Sequence, residues 1–476
     1  MAVIALLLAA AGAHAADPPG LGAYIEQALR ANLGLEQRRL EERAAASRFE
    51  EARSLYRPTV ALQARYSRAD GGRAIEFPVG DLLNPVFDTL DELLAAGGQA
   101  PRFGSLENVE IPFLREREHD TRLRLSQPVY RRDLDANRAA SRHQLEASGH
   151  ARRAFERRLV RDVRAAYWAH CGALGVLEVL EATRELVTES LRVSESRFER
   201  GALTEDEVLR DRAELAGVEQ SLREAERGRE ATRDVIDFLL DRAPGSPVDT
   251  SGCEAGSGGG DVAAAAAGTT EAGGGEASKA ATTRSSLAVR SELAQLDSAI
   301  AVSRSGVDAA RAESWPALGF ALDYGAEGES YDFDESFWQA SLVLSWNVFT
   351  SGRTKARRET ARLEAESLER RREELARQVT LEARDAVESL ETARFEVKAT
   401  DRRQRAAEEA YRIVERRYEA GAVPLVSLTD ARRELTDAGI ARRLAAFRVR
   451  TAEAELERVL ETDPWTSESE EQGGKP

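Results

Sequence analysis

Four carboxylates crowd into seven positions at Glu205, Asp206, Glu207 and Asp211, just beyond Gly201, and a further one, Asp430, follows Gly421. Carboxylates at such spacing suit acid–base work, metal ligation or the positive end of a helix, and their company decides which. Partners for the first two are missing. The five histidines are scattered, and the chain holds no nucleophile motif, no Gly-rich phosphate loop and no metal-ligand cluster. His143 and His150 read as exposed helix positions, and Cys171 and Cys253, far apart and without metal-type spacing, as two unremarkable thiols. Neither an enzyme nor a bound cofactor or metal is expected.

The setting of the carboxylates is more telling. RFERGALTEDEVLRDRAEL (Arg197–Leu215) and RYEAGAVPLVSLTDARREL (Arg417–Leu435) read almost as one stretch, written twice 220 residues apart. Both open Arg-aromatic-Glu, carry Gly-Ala at the fifth and sixth places and close on Arg-x-Glu-Leu. Around them apolar or small residues recur at 3–4 spacing: Leu177, Leu180, Val187, Leu191, Ser194 and Phe198 before the first glycine, Leu215, Val218, Leu222, Ala225, Thr232, Ile236 and Leu239 after it. The second copy repeats this from Val397 to Tyr418 and from Leu435 to Val459. Such spacing predicts long helices packed like coiled coils and turning back at the glycines. A glycine supplies the positive φ that such a turn needs. Glu205–Glu207 then either cap the returning helix or place charge at a working end.

The period changes elsewhere. After Pro58 the run TVALQARYSR alternates Val60, Leu62, Ala64 and Tyr66 with polar or small residues, and after Pro316 ALGFALDYG alternates Leu318, Phe320, Leu322 and Tyr324. TRLRLSQPVY and FWQASLVLSWNVF alternate likewise, which places four strands near 58–68, 121–130, 316–325 and 337–349. A period of two over ~9–11 residues suits a membrane barrel strand or, taken singly, an amphipathic strand of a soluble domain. Tyr66, Tyr324, Trp338 and Trp346 are candidate interfacial aromatics.

Each half therefore reads helix, Pro, strand, loop, strand, long helix, Gly turn, returning helix. We divide the chain into a first repeat at 16–243 with its tip at 200–204, a flexible Gly/Ala-rich linker at 244–283, a second repeat at 284–462 with its tip at 420–424, and a disordered tail at 463–476. The strand-to-strand loop of the first half, about 69–120, is long and carries Phe77, Phe87, Phe103 and Phe113. Residues 1–15 read as a signal peptide cut after Ala13-His14-Ala15, with no cysteine following for a lipid anchor. A net charge of −16 argues against nucleic acid. Four strands cannot close a barrel, and an open sheet edge is not tolerated in lipid. A helix from Arg131 to about Glu199 would span ~100 Å, taller than any globular core.

On these features the chain resembles the TolC-like outer membrane efflux proteins. The resemblance is carried by Pro58 and Pro316 before the strands, by LSWNVFTSGRTKA (Leu344–Ala356) and by the two Arg-aromatic-x-x-Gly turns, and it spans Leu21 to about Thr462. It implies a mostly α protein with a membrane β-barrel: a trimer whose 12-stranded outer-membrane barrel, four strands per chain, continues into a periplasmic α-helical barrel. It further implies an exit duct for tripartite efflux or type I secretion, docking a periplasmic adaptor and an inner-membrane pump of RND, MFS or ABC type. Gly201, Ala202, Leu203, Gly421, Ala422 and Val423 match the family's adaptor-docking tips, although Arg200 stands where the family has a small residue. Tyr418 and Asp430 match its periplasmic gate, while Ser427 replaces the second gate acid. Asp206, Glu207 and Asp211 offer negative charge in the other tip, and like charges confined in a ring repel unless cations bind. A periplasmic adaptor or a coiled-coil scaffold is the competing reading: an adaptor carries one hairpin within compact β-rich domains where this chain has two complete helical repeats, and a scaffold would not need four alternating strands entered by Pro58 and Pro316.

Overall fold

The computed structural model describes residues 19–113, 116–253, 290–329 and 336–461. The expected signal peptide, most of the linker and the tail lie outside these residues. The described chain runs α1 (Pro19–Ala31), α2 (Leu33–Ser54), β1 (Thr59–Arg68), β2 (Ala74–Phe77), α3 (Val79–Ala96), β3 (Val109–Pro112), β4 (Arg117–Tyr130), α4 (Arg132–Glu199) and α5 (Glu205–Leu239). It resumes with α6 (Ser291–Ala312), β5 (Ala317–Gly328), β6 (Ser336–Ser345), α7 (Arg353–Glu419) and α8 (Leu425–Leu460). No described helix is long and apolar enough to cross a membrane.

Two compact units cut across the sequence halves: one draws on residues up to Ser47, Ser141–Ser303 and those from Leu363, the other on Arg48–Ala140 and Arg304–Arg362. The first is helical. Ala, Leu, Glu and Arg dominate its long helices and lose little freedom in a helix, and exposed pairs such as Arg192–Glu189 at 2.6 Å and Arg412–Glu409 at 2.7 Å lie one turn apart. The apolar stripes meet as expected: Leu177, Leu180 and Leu222 cluster between α4 and α5, and Leu390, Ala393 and Val449 between α7 and α8. Phe198 departs from the expected stripe. It is exposed, because the helix ends one residue later and nothing remains to cover it.

The largest core joins Leu21, Tyr24 and Ile25 of α1 to Val160, Val163, Tyr167 and Trp168 of α4, Ile236 of α5 and Phe447 of α8. It also corrects the expectation for the cysteines. Cys171, buried in this core, forms a disulfide with Cys253, their Cα atoms 5.3 Å apart. At a sequence separation of 82 no local spacing announces the bond; the return of α5 along α4 brings them together. The opening of the supposed flexible linker is correspondingly fixed. Asp237 accepts from the N–H groups of Gly245 (2.9 Å) and Ser246 (3.1 Å), and the Asp249 N–H donates to the Tyr24 hydroxyl at 2.6 Å. His143 and His150 are half-buried rather than exposed, and His143 Nδ1 lies 2.9 Å from Glu146.

The other unit is built on an antiparallel sheet of order β1-β4-β5-β6. β1 opens one residue after Pro58 and β5 one residue after Pro316. β6 stops at Ser345 rather than near 349: Trp346 turns away, its indole N–H donating to the Ser314 carbonyl at 3.1 Å. The long first loop has its own structure, the ribbon β2–β3 and helix α3.

Candidate functional site

Each tip is closed by the same backbone arithmetic. At the first, Gly201 takes φ +71°, its N–H donates to the Phe198 carbonyl at 2.8 Å, and the Ala202 N–H donates to Arg197 at 2.9 Å. At the second, Gly421 takes φ +72°, with the matching bonds Gly421 to Tyr418 at 2.9 Å and Ala422 to Arg417 at 2.8 Å. A left-handed residue followed by this pair of bonds satisfies the last carbonyls of a helix and stops it. The chain then re-enters a helix after Thr204 or Pro424, both extended. Glu205, Asp206 and Glu207 occupy the first turn of α5, where unpaired N–H groups favour negative charge.

Behind the tips the four helices meet around polar side chains. Asp211 is fully buried and accepts a 2.5 Å hydrogen bond from Ser194 of α4. Tyr418 of α7 stands beside this group. Burial first, then the charges of Glu207 and Asp211, push its phenol pKa upward, while Arg197, whose guanidinium lies 5.9 Å over the ring, opposes. Arg432 of α8, only 2% exposed, donates to Glu214 of α5 at 3.1 Å, and Thr429 approaches the same carboxylate at 3.3 Å. Burial raises the Glu214 pKa most; Arg432 lowers it and Asp211 raises it further.

The gate candidates therefore divide. Tyr418, Glu207 and Asp211 come together. Asp206 is exposed, receives the Thr204 hydroxyl at 2.6 Å and lies 3.8 Å from Arg210. Asp430 is exposed as well, about 200° around α8 from buried Leu428, and Ser427 is half-buried. Gly201, Ala202, Gly421 and Ala422 are exposed, with Leu203 and Val423 half-buried. The residues that sequence reasoning passed over are Ser194, Glu214 and Arg432. A signal existed, since Glu214 and Arg432 are the Glu of one Arg-x-Glu-Leu ending and the Arg of the other.

The sheet, described by itself, has two chemically distinct faces. Leu62, Leu123, Tyr324 and Trp338 are register partners across all four strands, and all are exposed. Val60, Leu342 and Leu344 extend this bare apolar surface. The other parity holds Gln63, Arg122, Arg124, Asp323 and Gln339, with a bidentate Arg124–Asp323 pair at 2.7 and 3.0 Å. Apolar outward and polar inward is the pattern of a barrel wall in lipid around an aqueous lumen.

The profile of the outer membrane efflux protein family matches residues 103–240 and 283–461. None of the curated proteins matches the chain. Among solved structures, the outer-membrane channel OprN is 19% identical at a TM-score of 0.72, covering 94% of this chain and 91% of its own. The CmeC outer membrane channel of Campylobacter jejuni is 16% identical at 0.72, covering 95% and 89%. The open state of the MtrE outer membrane channel of Neisseria gonorrhoeae is 18% identical at 0.69, covering 93% and 89%. At these identities the likeness speaks to the TolC-like fold.

Proposed function

The chain belongs to the outer membrane efflux protein family, and from that premise we propose that it is the outer-membrane exit duct of a tripartite efflux pump or type I secretion system. One observation carries the reading: a four-stranded sheet, apolar on one face and charged on the other, whose outer strands β1 and β6 have no partner among the described residues. Unpaired strand edges are not tolerated in lipid. Three copies joined β1 to β6 close a 12-stranded barrel, and the long helical hairpins prolong it into the periplasm. The two sequence halves act as two structural repeats in each chain.

In this reading the tips Gly201–Leu203 and Gly421–Val423 form the periplasmic end, which docks an adaptor that couples to an inner-membrane pump. The pump supplies the energy, and the duct does no chemistry of its own. Tyr418, held against Glu207 and Asp211, fastens one hairpin to the other, while exposed Asp430 and Asp206 and half-buried Ser427 line the narrow opening. Three copies of each exposed carboxylate bring like charges together and favour cations there. The detergent-solubilised protein is expected to run as a trimer and to conduct ions in a planar bilayer. Asp430→Ala should raise conductance or weaken block by divalent cations; a monomer without conductance would overturn the duct.

A further inference from the structure

The loop between β1 and β4 carries an apolar surface that the barrel wall does not explain. Helix α3 is docked onto the segment 102–108 by one face only. Asn84 donates to the Leu106 carbonyl at 2.9 Å and accepts its N–H at 2.8 Å, Phe87 stacks on Phe103 at 5.2 Å, and Asp91 accepts from the Arg102 N–H at 2.8 Å. Gly80 sits so close that a Cβ there would collide with the Leu106 carbonyl oxygen. The adjoining flank of α3 is bare. Val79, Leu83, Val86, Leu90 and Leu93 follow one another at intervals of 4, 3, 4 and 3, and the last four are 39%, 51%, 38% and 66% exposed.

That interval is the a/d spacing of a coiled-coil seam. We propose that α3 is a self-association seam, packing against α3 of other copies of this chain; the proposal rests on the trimeric duct above. Two arguments select a second copy over a lipid surface. Asp81 and Asp88 fall on f positions of this heptad and Glu92 on a c position, away from the seam, so joined copies do not face like charges. Helix α3 has no Lys or Arg at all, whereas helices that lie on phosphate-bearing membranes are rich in them. Continuity points the same way. The loop springs from β1, whose outer edge is where a neighbouring copy must pair, and the ribbon at its base exposes Ile75, Phe77, Val109 and Ile111.

Both native cysteines are bonded to each other, so an engineered thiol is the free one among the described residues. On mild oxidation, Val86→Cys chains should link in pairs on a non-reducing gel, and Asp88→Cys chains at least fivefold less. A nitroxide attached to the Val86→Cys variant should show dipolar broadening between copies. The seam is overturned if the particle is trimeric by native mass yet Val86→Cys and Leu83→Cys do not link, or if the nitroxide is relaxed by oxygen far more than by a nickel chelate, which marks lipid. A monomeric particle overturns the duct and the seam together, and mass alone separates that failure from the others.

Discussion

Glu214 and Arg432 bring opposite charges into the space behind the two tips, where neither is well hydrated. Removing one member of such a pair strands the other, at a cost of about 3–5 kcal/mol. Glu214→Ala should therefore lower the unfolding midpoint at neutral pH, with faster amide exchange at both tips; an unchanged midpoint would mean that Arg432 finds another counter-charge. The pH dependence has a defined sign. Burial raises the folded-state pKa of Glu214, so the part of the stability linked to its protonation is complete below the ordinary carboxyl range and fades as pH rises through the raised value, leaving the pairing with Arg432. The stability difference between the native protein and Glu214→Gln should shrink from mildly acidic to neutral pH; a flat difference refutes the assignment. These two residues were legible only as parts of a repeated motif. Their pairing was not, because it crosses from one hairpin to the other.

At the scale of elements, periodicity and turn chemistry predicted most of what forms. The long helices and four strands were readable because a stripe at 3–4 spacing and an alternation of two each bury one face in one conformation only. The tips were readable because positive φ without a Cβ penalty calls for glycine. A Cβ on Gly201 or Gly421 would meet no atom within 4 Å, so alanine there is opposed by backbone strain alone. Each single Gly→Ala change is expected to cost ~1–2 kcal/mol, read by chemical denaturation. A loss several times larger would reveal a packing role at the tip. Strand β6 ended early for a tertiary reason, since the Trp346 indole N–H meets a carbonyl of the α6–β5 turn. Helix α3 was not expected, because Pro78 stands before it and Pro85 inside it, residues that ordinarily interrupt a helical pattern.

For the whole molecule, the disulfide closes a loop of 82 positions and fixes the segment that follows α5 against the α1–α4 core. Chain-entropy arguments assign such a closure about 4.5 kcal/mol. Its presence fits an exported protein, since disulfides persist in oxidising compartments. Reduction, or Cys253→Ser, should lower the unfolding midpoint and open the chain near residue 250 to limited proteolysis. If the midpoint and the cleavage pattern stay as they are, the bond does not fix that segment.

The sequence by itself determined the long helices, the twin tips, the four strands of the main sheet and the resemblance to the family, because each depends on residues near one another along the chain. Tertiary structure alone decided that Cys171 meets Cys253, that Asp211 is buried while Asp430 is exposed, and that Glu214 pairs with Arg432. Those outcomes depend on which helix faces meet across 80 to 220 positions. A period of 3.6 residues fixes which side of a helix is apolar, but not which neighbour covers it.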